Sequence, residues 1–231
     1  MINIDNILNS NVIKDPWEYQ IIDNVFSQDT YNLIVTEFKK VISHIKDLPR
    51  NPNGWWLYEL EQLGMSKECV DLVLKMNKQV LEIAPQWLKK YSNPEISNIG
   101  YYSIPRFGYT PPNNREEMHH DAELGDKTMI MAIYLSPEEN HGTALYRTEE
   151  FDSFVTELPW KSNRAFMFAP VKGVTWHDSK SSDERLTMAF YYERIEMIHL
   201  INNFEDKNKM MWFYEQMAGD HIMIEIDKQS N

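Results

Sequence analysis

Three short segments carry residue types that can do chemistry together. They are His119-His120-Asp121, His177 within Thr175-Trp176-His177-Asp178-Ser179, and Arg185 at the head of Arg185-Leu186-Thr187-Met188-Ala189-Phe190-Tyr191. In an extended strand, side chains two apart point to the same face. His119 and Asp121 are therefore placed to reach one metal ion while His120 turns away. His177, arriving from a distant strand, completes two histidines and one carboxylate. That facial set suits a non-haem Fe(II) ion with open coordination positions. Arg185 supplies a fixed positive charge for an acidic co-substrate.

Each residue has a plainer reading beside this one. A lone His119 is a satisfied core histidine, and Asp121 alone is a turn residue. A buried carboxylate needs a partner, however, and a divalent cation is one. His120 is read as structural or at the pocket rim, and His141, before Gly142, as a solvated turn residue. Asp178 is read as orienting a neighbour rather than binding metal. Arg185 on an apolar strand either pairs with a carboxylate of the protein or grips the carboxylate of a ligand, with Thr187 adding a hydroxyl. Lys127 is the alternative cation for that task. Tyr102 and Tyr134 either reach the co-substrate or serve as core.

The elements that must position these residues follow from periodicity. The chain has 231 residues, of which 42% are hydrophobic, enough for a sizeable core. Apolar spacing predicts a strand over 17–25, then helices over 30–48 (capped by Ser27 or Asp29) and 66–91 (capped by Ser66). Pro85 predicts a kink in the second. Residues 1–15 read as a loosely attached lead-in and 49–54 as a turn. From 96 onward the pattern becomes short strands: 96–104, 127–135, 143–147, 165–168, 174–177 and 185–192. Residues 105–117 read as a long polar loop bordering the metal site and acting as a lid. A closing helix is expected over 203–217. Leu186, Met188, Phe190 and Tyr192 form a face for the helices; Arg185, Thr187, Ala189 and Tyr191 face a polar cavity.

Composition narrows the class. There are 23 basic and 35 acidic residues, a net charge of −12, so nucleic acid is not an expected partner. No apolar run reaches membrane-spanning length, and no leader pattern stands at the N-terminus. Cys69 is the only cysteine, which excludes an intrachain disulfide and suits the cytoplasm. It reads as a core residue.

With these residues in place, the sequence resembles the Fe(II)/2-oxoglutarate-dependent dioxygenase superfamily, in its prolyl-hydroxylase-like branch. His119-His120-Asp121, His177 and Arg185-Leu186-Thr187 match the family's motif. So do Ile133-Tyr134-Leu135, the Gly142-Thr143 turn, 163–168 and the opening stretch 19–26. The resemblance spans roughly 17–195. It implies an α+β fold with a double-stranded β-helix (jelly-roll, cupin-like) core, N-terminal helices on one sheet and a C-terminal helix. The chain then reads as one oxygenase domain: lead-in 1–15, helical support 16–95, β-helix core 96–195 and helical segment 196–231. The resemblance further implies metal ligation by His119, Asp121 and His177. Arg185 and Thr187 would hold the distal carboxylate of 2-oxoglutarate, with Tyr102 and Tyr134 beside it. Fe(II), 2-oxoglutarate and O2 would hydroxylate a C–H bond of a peptidyl proline, amino acid or other small metabolite, releasing succinate and CO2. Desaturation is the other outcome the retained carboxylate favours. Two further readings stand beside it: a non-enzymatic metal- or ligand-binding module, and a cupin-like metalloenzyme without 2-oxoglutarate. Arg185-Leu186-Thr187 has no evident task in the latter.

Overall fold

The computed structural model describes residues 1–47, 54–92, 101–122 and 127–194. The expected helix over 203–217, and residues 96–100 of the strand expected there, lie outside the described residues. The N-terminal helices form where apolar side chains recur at helical spacing. Helix α2 (Gln28–Ile45) buries Ile34, Phe38, Val41, Ile42 and Ile45 along one stripe. Helix α4 (Lys67–Leu88) starts at Ser66, whose hydroxyl accepts the Cys69 N–H at 3.3 Å. It runs through Pro85, in its last turn, as one helix rather than two. Cys69 is fully buried, and burial pushes its thiol up to about 12, so it acts as packing and not as a nucleophile.

Two short helices escape the periodicity reading, α1 (Ile4–Asn9) and α3 (Leu57–Gln62). Six residues are too few for a clear apolar repeat. Residues 1–15 are not a loose lead-in. Ile2 and Ile7 enter the core, and the Asn3 N–H donates to the Val25 carbonyl at 2.8 Å. No helix among the described residues is long and apolar enough to cross a membrane.

The strands are β1 (Tyr19–Asp23), β2 (Trp55–Trp56), β3 (Tyr101–Thr110), β4 (Arg115–His119), β5 (Lys127–Ser136), β6 (Thr143–Tyr146), β7 (Phe154–Glu157), β8 (Arg164–Phe168), β9 (His177–Lys180) and β10 (Arg185–Arg194). They form two antiparallel sheets, a large one ordered β1-β8-β5-β10-β3-β2 and a small one ordered β4-β9-β6-β7. The large sheet separates two cores. Leu186, Met188, Phe190 and Tyr192 of β10 join Met129, Met131, Ile133 and Leu135 of β5 under the helices. Ile130, Phe166 and Phe168 pack on the opposite side with Leu145 of the small sheet. This is an α+β fold with a jelly-roll core, and the alternation along β10 divides its faces as expected.

Three expectations about 105–117 and 174–176 are corrected. Residues 105–117 are not a long loop: β3 and β4 take most of them, and only 111–114 turn between. Strand β3 pairs with β10 over ten residues, from Thr110 opposite Arg185 to Tyr101 opposite Arg194. Pro105 is tolerated because β2 covers only Phe107 and Arg106, leaving β3 an edge at the proline. The lid expectation falls with the loop. Residues 174–176 are not strand; β9 begins at His177.

Gly142 leads into β6 where the chain passes close to 158–160. A Cβ at that position would overlap the Leu158 carbonyl oxygen, which is backbone and cannot swing aside. Gly142→Ala is expected to destabilise by about 3 kcal/mol or more, the upper end of overpacking effects, seen as a lowered denaturant midpoint. An unchanged midpoint would show that the turn has room.

Candidate metal centre and co-substrate pocket

Strand pairing brings the two histidines together. His119 is the last residue of β4, His177 is the first of β9, and the register sets them directly opposite. Asp121 lies beyond the strand. Its φ of 60° is left-handed, a conformation Asp tolerates better than most residues at a cost of roughly 1 kcal/mol. A turn, and not strand alternation, therefore returns its carboxylate to His119. Asp121 Oδ2 stands 3.2 Å from His177 Nε2 and 3.6 Å from His119 Nε2. The three donor atoms lie within 4.8 Å of one another. Neighbouring ligands of one octahedral ion on bonds of about 2.1 Å lie about 3.0 Å apart, so the spacing suits a shared ion.

The other ring nitrogens fix how the histidines are presented. His119 Nδ1–H donates to the Glu117 carbonyl at 2.7 Å, and His177 Nδ1–H to the Thr175 carbonyl at 2.8 Å. A carbonyl only accepts, so each Nδ1 carries hydrogen and each Nε2 is left to face Asp121. Two lone pairs and a carboxylate converging on one point suit a cation, and a metal ion would engage all three at once. Burial lowers the His177 pKa, but the Asp121 hydrogen bond and charge outweigh this and raise it. Burial likewise would raise the Asp121 carboxyl, yet His177, Lys127 and His119 hold it well below the usual carboxylate range. The His177 ring is walled by Phe168 at 5.1 Å and Trp17 at 6.4 Å.

Thr175, unremarked in the sequence beyond its place before the distal histidine, ties the two arms. Its hydroxyl donates to the His120 carbonyl, inside the His119-His120-Asp121 turn, at 3.0 Å, and accepts the Val171 N–H at 3.0 Å. Its carbonyl orients His177. Spacing was the only available signal, since Thr175 stands two residues before a candidate ligand. Thr175→Val is expected to weaken Mn(II) binding about 10–100-fold, the usual range for partners behind metal ligands. Thr175→Ser should restore it in the same titration. Equal affinity in Thr175→Val would leave the hydroxyl only a turn-forming role.

His120 is structural as expected. It is buried, its Nδ1 accepts the Ala122 N–H at 3.2 Å, and its ring packs edge-on against Trp176 at 4.6 Å. Asp178 does not orient a ligand. It faces away from His177 on β9 and binds Arg115 and the Tyr146 hydroxyl. His141 contacts Glu157 at 3.1 Å.

Arg185 is 4% exposed, on the face of β10 turned toward the small sheet. Its guanidinium donates to the Lys180 carbonyl at 3.1 Å and lies 4.7 Å from the Trp160 ring. Trp160, which periodicity did not single out, stacks on Tyr134 at 4.3 Å. The Tyr134 hydroxyl meets Thr143 Oγ1 at 2.7 Å. Thr143 is two residues along β6 from Leu145, which opposes His177. This chain of contacts runs from Arg185 toward the histidines. Thr187 opposes Tyr134 across the strands and is admitted by Gly108, where a Cβ would overlap its hydroxyl. Tyr102 stands opposite Glu193 in β3, and its side chain lies outside the described structure. Lys127, the alternative cation, has its ammonium on Asp121 Oδ1 at 2.7 Å.

No family model and no curated protein matches this sequence. Solved structures do match. A prolyl hydroxylase from Trichoplax adhaerens, in complex with a hypoxia inducible factor peptide fragment, aligns with TM-score 0.53 and 14% identity over 79% of this chain and 86% of its own. A prolyl-4-hydroxylase from Pseudomonas putida aligns with TM-score 0.50 and 12% identity over 83% and 90%. One from Phytophthora capsici gives 0.51 and 12% over 76% and 58%. The chain thus has the fold of these prolyl hydroxylases.

Proposed function

We propose that this protein is an Fe(II)- and 2-oxoglutarate-dependent dioxygenase that hydroxylates a C–H bond of a peptide or small-molecule substrate. The observation that carries the reading is the convergence of His119 Nε2, Asp121 Oδ2 and His177 Nε2 inside a prolyl-hydroxylase fold. In the balanced reaction one atom of O2 enters the substrate and the other enters succinate, with loss of CO2 from 2-oxoglutarate. The iron, when bound, supplies the oxidising chemistry and the protein supplies position.

His119 Nε2, Asp121 Oδ2 and His177 Nε2 would hold the metal. Arg185 binds the distal carboxylate of 2-oxoglutarate, and Trp160 and the Lys180 carbonyl hold the guanidinium in place. Thr187 and Tyr134 line the same face and add hydroxyl donors. Burial raises the Tyr134 pKa, so its phenol keeps its proton. Phe168 and Trp17 keep water from the His177 side. The peptide held by the Trichoplax adhaerens protein supports a substrate of that kind without excluding a free amino acid.

The test is succinate formation from 2-oxoglutarate with Fe(II) and O2, with candidate peptides and amino acids added in turn. Slow turnover without substrate and faster turnover with a true one are expected. If Mn(II)-loaded protein fails to bind 2-oxoglutarate and no succinate forms, the oxygenase reading is wrong.

A further inference from the structure

We infer that Lys127 is a positioning residue that restricts Asp121 to donating a single oxygen to the metal, keeping a coordination position open for the co-substrate. The inference rests on the metal centre of the proposed function and adds to it a residue the ligand set does not include. Strict alternation along β5 would carry Lys127 away from the site. Ile130 opposes Tyr191 and packs between the sheets, so residue 128 should point inward and 127 outward. The register instead steps from Met129 opposite Tyr192 to Lys127 opposite Glu193, passing over Thr128. The Thr128 hydroxyl donates to the Tyr192 carbonyl at 2.9 Å and fixes this irregularity in a buried position. The extra residue re-aims Lys127, the usual effect of a β-bulge beside a site.

Its ammonium then lies 2.7 Å from Asp121 Oδ1 and 5.0 Å from the centre of the Tyr191 ring. The two oxygens of Asp121 are divided by this contact. Oδ1 goes to Lys127, while Oδ2 faces both histidines at 3.2 and 3.6 Å. The Lys127 bond holds the carboxylate in the orientation that presents Oδ2 to the histidines, and turning both oxygens onto one ion would move Oδ1 away from the ammonium. Lys127 also places a positive charge beside a centre that must accept a dianionic 2-oxo acid.

Mn(II)-loaded wild type, Lys127→Met and Lys127→Arg distinguish this from a passive ion pair. Water proton relaxivity reports exchangeable water on the ion. Three single-atom protein ligands on an octahedral ion leave about three water positions, and two-oxygen donation leaves about two. Relaxivity per bound Mn(II) is therefore expected to fall by about a third in Lys127→Met and to return in Lys127→Arg, which again places a charged donor on Oδ1. The affinity of Mn(II)-loaded Lys127→Met for 2-oxoglutarate should fall about tenfold, the scale of one charge-assisted contact. Mn(II) itself should bind at least as tightly as in wild type. Wild-type relaxivity in Lys127→Met overturns the inference. So does loss of Mn(II) binding, since retaining the metal is not the role assigned. Wild type that binds Mn(II) but not 2-oxoglutarate would remove the oxygenase reading and leave this inference to the relaxivity result.

Discussion

Asp121→Ala and His177→Ala are each expected to weaken divalent metal binding by more than about a hundredfold, beyond the range for residues that act behind the ligands. Asp121 contributes the only negative charge of the set, and its Oδ2 is the atom both histidines face. Without it, two imidazoles remain, with the half-buried Lys127 ammonium left beside them. Removing His177 takes away the donor that β9 sets opposite His119. Mn(II) titration of each variant, with folding checked by thermal unfolding in chelator, measures the effect. Variants that fold and bind metal like wild type would show that the ion is held elsewhere. The same titration carries a pH signature. Metal and proton compete for His177 Nε2, and Asp121 favours the proton by raising the His177 pKa. Affinity in the wild type should therefore fall as pH falls through that raised value.

Arg185→Ala is expected to raise the 2-oxoglutarate dissociation constant of the Mn(II)-loaded protein about a hundredfold. Truncating one partner of a buried charge pair costs about 2–5 kcal/mol, and about 1.4 kcal/mol is a factor of ten. Mn(II) affinity should stay near wild type, because the guanidinium lies toward Lys180 and Trp160 rather than among the three metal-facing atoms. Calorimetry of 2-oxoglutarate binding under anaerobic conditions decides it. An unchanged constant would pass the role to another cation. Arg185→Lys should recover only part of the loss, since an ammonium neither forks onto a carboxylate nor stacks on Trp160 as a guanidinium does.

The clustering of His119, Asp121 and His177 and the two faces of β10 were legible because they rest on residue chemistry and on period-two alternation. The path of Asp121 was not. Alternation names the right partner for His119, but a left-handed residue past the end of β4 delivers it. Residues 105–117 were misread because Pro105, Gly108, Pro111 and Pro112 carry the composition of a loop. What makes 101–110 a strand is its ten-residue pairing with β10, a long-range fact invisible in local composition. Lys127 was noticed for its charge, yet its direction depends on a single skipped residue, and a bulge leaves no clear mark in one sequence. Trp160 and Thr175 act through tertiary contact, so nothing in their neighbours' types announced them.

The placement of His119 and His177 on opposed strand ends also bears on how the chain keeps its shape. These residues are remote in sequence, and a bound ion would close the intervening chain, β5 to β8 included, into a loop. Closing a loop of that size removes entropy from the unfolded ensemble, which is the principal way a disulfide stabilises in the chain-entropy account. With Cys69 as its single cysteine, the chain cannot make that cross-link covalently. A bound metal would give it a removable one, and supply of the ion would then govern how firmly the small sheet is stapled.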